Sequence, residues 1–160
     1  MSAWETEGQS DEWHTPAYIF EALGVRFDVD VAAPKEGPRH VPANRWIFKG
    51  QETSWSWDGF CWMNAPFGKR NGLMPWLETF VAHANGVCLV PDRTSAPWFQ
   101  WAAPKMDAVL FISPKVKFER PDGTIGKSPG TGTALMAIGA RGVAALYNAR
   151  SLGWLVRNAV

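Results

Sequence analysis

Residues 60–68 read Phe-Cys-Trp-Met-Asn-Ala-Pro-Phe-Gly, and the polar chemistry is concentrated in Asn64, Ala65, Pro66 and Phe67. The Asn64 side chain offers a carbonyl acceptor, and the Ala65 backbone carbonyl is a second. Pro66 stiffens the turn and biases Ala65 away from the helical region. Phe67 supplies a flat face for stacking. Two acceptors converging on one exocyclic amino group, beside a ring, would hold an amino-bearing nucleobase. They would also draw on its N–H groups and make the nitrogen lone pair more available. The same tetrapeptide serves equally well as a plain turn after a buried strand, so the surrounding elements must decide.

Other catalytic machinery finds little support. There is no G-x-x-x-x-G-K-[ST] and no G-x-G-x-x-G phosphate cradle. The one G-x-G, in Pro-Gly-Thr-Gly-Thr at 129–133, precedes a strand-like run and reads as a turn. His14, His40 and His83 lack metal-ligand spacing, so no metal is expected. Nucleophilic catalysis by a serine has no evident candidate. Cys61 and Cys88 both lie in apolar runs and read as buried reduced thiols. Methylation of a cytosine carbon would need a presented cysteine nucleophile, which neither resembles.

The elements that must position Asn64 follow from the pattern around it. Thr15-Pro16 suits a helix start, with an apolar face running to a stop at Gly24. Residues 25–33 alternate like a strand, 34–42 form a loop, and 44–48 and 59–63 are short strands. A helix is expected over 74–84, a buried strand over 86–91, a helix capped by Ser95 over 95–103, and a strand over 107–112. Asp122-Gly123 predicts a hairpin or β-ribbon over 115–127. Two apolar segments within 133–149 read as strands, and a short helix closes the chain. Strands alternating with helices predict an α/β fold with a mostly parallel sheet. In such sheets ligands bind at the carboxyl ends of strands. The polar breaks at 30–34 and 64–68 both fall there.

Composition bounds the setting. A chain of 160 residues suits a single domain over 13–160 behind a flexible lead-in at 1–12. Hydrophobic content of 46% with 19% charged residues describes a globular protein. No apolar run of about 18 residues suggests a membrane span, and the polar, acidic start lacks a secretory pattern, which predicts a cytoplasmic protein. The net charge of +1 requires any nucleic-acid site to be a local patch. The ten Trp and nine Phe are expected mainly in the core, with some left as platforms.

Four segments in order resemble the phage-type DNA adenine-N6 methyltransferase family: Asp-Glu-Trp-His-Thr-Pro at 11–16, Phe-Asp-Val-Asp-Val-Ala-Ala-Pro at 27–34, Trp-Met-Asn-Ala-Pro-Phe-Gly at 62–68, and 87–99 together with 115–123. The resemblance implies a Rossmann-like class I methyltransferase fold that binds S-adenosylmethionine and passes its methyl directly to the adenine amino group. It assigns Asn64, Ala65, Pro66 and Phe67 to the catalytic clamp. It places Trp13, Thr15, Pro16, Asp28, Asp30, Ala32 and Glu52 on the cofactor side. Ala65 stands where the family more often has Pro, yet the acceptor there is a backbone carbonyl that Ala also supplies.

A target base inside a duplex would have to be flipped out, or be met in a single strand. Lys69, Arg70, Arg93, Lys115, Lys117, Arg120 and Lys127 are the candidate phosphate contacts. With little room for a separate recognition domain, weak or short sequence specificity is expected. The family resemblance further implies a phage setting, in the host cytoplasm, with masking of DNA from restriction. Two other readings remain open from sequence: a methyltransferase fold acting on RNA, a nucleotide or a protein Gln, and a non-catalytic nucleic-acid-binding module.

Overall fold

Among the described residues, the polar break at Asn64 ends the third of seven strands in one mixed sheet flanked by four helices. The computed structural model describes residues 13–48, 57–66 and 72–158. In chain order the elements are α1 (Ala17–Leu23), β1 (Phe27–Ala33), β2 (Ala43–Phe48), β3 (Cys61–Met63), α2 (Leu73–His83) and β4 (Gly86–Pro91). There follow α3 (Pro97–Ala102), β5 (Ala108–Ile112), β6 (Thr133–Ile138), α4 (Ala140–Asn148) and β7 (Gly153–Arg157). Among the described residues no helix is long and apolar enough to cross a membrane.

The strand order is β2-β1-β3-β4-β6-β5-β7. The junctions from β2 to β4 are parallel, and those from β4 to β7 are antiparallel. The expectation of a mostly parallel sheet therefore needs correction. β5 ends and β6 begins at the same end of the sheet, with Phe111 opposite Ala134. The chain returning from the 113–132 excursion can only run back antiparallel.

Two further expectations are corrected. Residues 140–148 form α4, not a strand: Gly142, Ala145, Leu146 and Ala149 are buried at helical spacing. The closing segment is strand β7, not a helix, paired with β5 from Gly153 to Arg157. The 115–127 segment, expected as a hairpin or β-ribbon, carries a short hairpin. It has a bridge between Glu119 and Ile125 and a turn at Gly123, whose φ of 89° suits glycine.

The alternation of each strand divides the core into two layers. Val29, Cys61, Met63, Cys88 and Val90 face α2 and α3, where Leu73, Leu77, Phe80 and Phe99 close the layer. Trp62, Val87, Leu89 and Leu135 face α1 and α4, together with Val116 and Phe118 from the excursion. Trp62 is the hinge of the second layer, packed edge-on against Phe20 at 4.8 Å and tilted against Phe27 at 5.7 Å. These contacts dock α1, and with it Thr15-Pro16, beside the end of β3. α1 stops as expected at Gly24, in the left-handed conformation. Its N-cap residue is Pro16 rather than Thr15, and α3 is entered from Ala96 with no side-chain cap from Ser95.

Candidate active site

The chain leaves β1 toward β2 on one side and returns to β3 on the other. Connections departing in opposite directions open a crevice outside the carboxyl ends of β1 and β3. Ala33 and Asn64 stand at those two ends. Asn64 continues the alternation of Trp62 and so falls on the α1 side of β3, where its Nδ2 donates to Thr15 Oγ1 at 3.2 Å. Thr15 is itself buried. Among the described residues no side-chain bond occupies the Asn64 Oδ1, which remains an acceptor. Ala65 turns the other way and is only 2% exposed within the α2–α3 layer. A small side chain suits that position while the carbonyl remains part of the strand end.

Asp30 lies one strand over, in register with Trp62. It is nearly inaccessible, and burial pushes its carboxyl up to about 7, offset only in part by the Ala32 N–H that donates to Oδ1 at 3.2 Å. Ala32 is thus tied to Asp30 at the end of β1. Trp13 is half-buried, with the Arg120 guanidinium 5.3 Å from its ring and Gly126 pressed so close that no side chain fits there. Pro16 is buried at the entry to α1. Asp28 stands elsewhere: near the amino end of β1, its Oδ2 accepts from the Phe60 N–H at 2.7 Å and meets Arg141 at 3.4 Å. The structure thus brings Trp13, Thr15, Pro16, Asp30, Ala32, Asn64 and Ala65 to one end of the sheet and leaves Asp28 at the other. Glu52, Phe67, Lys69 and Arg70 lie outside the described residues.

The family described as DNA N-6-adenine-methyltransferase (Dam) matches residues 4–142. The chain belongs to that family. No curated protein and no solved structure matches it. The matched stretch includes every crevice residue of this methyltransferase-family chain and ends early in α4, before β7.

Of the seven candidate phosphate contacts of this family member, Lys115, Lys117, Arg120 and Lys127 sit on the excursion that follows β5. Lys115, Lys117 and Lys127 are exposed, with Lys115 Nζ donating to the Gly130 carbonyl at 3.2 Å. Arg120 is turned inward, donating to the Ile125 carbonyl at 3.0 Å. Its role is at least partly to hold the hairpin. Arg93 lies in the loop after β4, at the same end of the sheet as Asn64.

Sequence reasoning missed a clasp beside the crevice. Glu119 exchanges both backbone bonds with His14, at 2.8 and 2.9 Å. Its carboxylate lies 3.0 Å from His40 Nε2 through both oxygens, and 3.5 Å from Arg39. The His40 hydrogen bond and the nearby cations hold Glu119 below its ordinary range. Desolvation, helped by Arg39, lowers His14. Arg39 also donates to the Arg120 carbonyl at 2.8 Å and to that of Pro121. Opposite charge in two distant loops was the sole sequence signal, and spacing does not connect residues about eighty positions apart.

Proposed function

We propose that this chain methylates the exocyclic amino group of adenine in DNA, using S-adenosylmethionine. The observation that carries the reading is the Asn64 carboxamide at the carboxyl end of β3, anchored through Nδ2 to Thr15 and keeping Oδ1 as an acceptor, in a chain of the DNA N6-adenine methyltransferase family. The run of parallel strands from β2 to β4, with its switch between β1 and β3, supports a Rossmann-like methyltransferase scaffold.

The donor set at the crevice fits the cofactor. A carboxyl group as buried as Asp30, held by one backbone N–H, suits the ammonium or a hydroxyl of such a molecule. Trp13, Thr15, Pro16 and Ala32 frame the same side. When bound, S-adenosylmethionine supplies an electrophilic methyl group on a sulfonium sulfur. The chain's own part is positioning and electrostatics. Asn64 Oδ1 and the Ala65 carbonyl accept the two amino hydrogens of the target base, and Phe67 stacks on its ring. Accepting those hydrogens raises the availability of the nitrogen lone pair for methyl transfer. An amide is too weak a base to keep the proton released, which passes to water.

The target base reaches the crevice flipped out or from a single strand. Lys115, Lys117, Lys127 and Arg93, with Lys69 and Arg70, supply phosphate contacts. Weak or short sequence specificity belongs to the same reading. A phage role in masking DNA from restriction, in the cytoplasm of the host, extends the same reading.

Asn64→Ala tests the clamp. Methyl transfer should fall at least ~100-fold, the scale of losing one preorganised polar contact to the reacting group, with an unchanged melting curve. A variant that turns over at a near-normal rate would remove Asn64 from the mechanism.

A further inference from the structure

We infer that Thr15 is a positioning residue for Asn64, setting its carboxamide through the hydroxyl and not chiefly serving the cofactor. The inference rests on the adenine-methylation reading above. A carboxamide has two ends of nearly equal size and opposite hydrogen-bonding character. An amino group in the crevice can use only the carbonyl end. The nitrogen end then needs an acceptor of its own, because an unpaired N–H beside a buried surface is costly. Thr15 Oγ1 supplies that acceptor at 3.2 Å, from a buried side chain at the start of α1. One hydroxyl thereby satisfies the donor end of Asn64 and leaves the acceptor end for the substrate.

Thr15 is placed by its neighbours on both sides. His14, just before it, is bonded through N–H and carbonyl to Glu119. Glu119 is held in turn by His40 and Arg39 from the β1–β2 connection. Pro16, just after it, opens α1, which Phe20 docks on Trp62. The hydroxyl is therefore fixed from three stretches of chain that meet at the end of β3.

The test compares the wild type with Thr15→Val, which keeps the shape and removes the hydroxyl, and Thr15→Ser, which keeps the hydroxyl. In adenine methylation assays Thr15→Val should lower kcat at least ~10-fold with little change in the KM for S-adenosylmethionine, and Thr15→Ser should recover most of the loss. In an Asn64→Ala background, Thr15→Val should cost nothing further, since the two residues act as one unit. A raised cofactor KM with kcat intact would assign Thr15 to the cofactor and overturn the inference, as would full additivity of the two substitutions. A second readout needs no turnover. The Asn64 side-chain NH2 signals in 15N–1H spectra should be protected from exchange in the wild type and in Thr15→Ser, and lose protection in Thr15→Val. An unprotected Asn64 amide in the wild type overturns the inference whatever the enzyme's activity. A wild type with that protection but no adenine methylation overturns the functional reading and leaves the Thr15–Asn64 link standing.

Discussion

At the scale of single residues, two polar side chains carry the account in opposite ways. Asn64 is useful because its Nδ2 is held by Thr15 while no side-chain bond among the described residues occupies its Oδ1. Asp30 stands out because it is hard to ionise: burial lifts its carboxyl from 3.8 to about 7. The direction of its pH effect follows from that lift. Between those values the folded chain holds the Asp30 proton and the unfolded chain has lost it, so on this group's account stability declines as pH rises and is lowest above about 7. Asp30→Asn keeps an acceptor for the Ala32 N–H and removes the titration. The variant should melt higher than the wild type at alkaline pH, and the difference should shrink on acidification below about 4, as thermal melts across pH would show. A difference independent of pH would place Asp30 in a solvated setting. If Asp30 meets the cofactor ammonium, S-adenosylmethionine should bind more tightly as pH rises through about 7, and Asp30→Asn should abolish that dependence in calorimetric titrations.

At the scale of elements, α1 matters beyond its seven residues because it delivers Thr15 to Asn64. Its anchor is Phe20 against Trp62. Phe20→Ala should cost about 3–5 kcal/mol in denaturant unfolding and reduce methylation with it. An unchanged midpoint would mean that α1 is held by something else. Most elements were legible in the sequence because their patterns are strong: the alternation of β1, the apolar run of β4, and the Gly24 stop of α1. α4 was not, because its buried face is built from the small residues Gly142, Ala145 and Ala149 with a single Leu146, and the continuous apolar run at 142–146 read as a strand. Gly142 shows the purpose of that smallness: a Cβ there would come within 2.7 Å of the Gly86 carbonyl, so the helix lies close on β4. β7 was misread for a related reason. It is an edge strand, with Trp154 69% exposed and neither face fully buried, so it shows no clean alternation. Within the candidate site, the strand-end position of Asn64 was readable. The bond to Thr15 was not, since local pattern carries no information about residues forty-nine positions apart.

At the scale of the whole molecule, one mixed sheet brings the polar strand ends of β1 and β3, the start of α1 and the hairpin of the 113–132 excursion to a single end. A net charge of +1 gives little long-range attraction for a polyanion. On the proposed reading DNA is met through cations placed locally, for which the exposed Lys115, Lys117 and Lys127 of the excursion are the candidates. The central claim is that this arrangement methylates adenine nitrogen and no other base. Nucleoside mass spectrometry of unmethylated DNA of mixed sequence, after incubation with the protein and S-adenosylmethionine, tests it most directly. The account predicts that N6-methyladenine accumulates with time, and at least ~100-fold more slowly when Asn64 is replaced by Ala. Unmodified adenine throughout, or a methyl group found on cytosine instead, would contradict it.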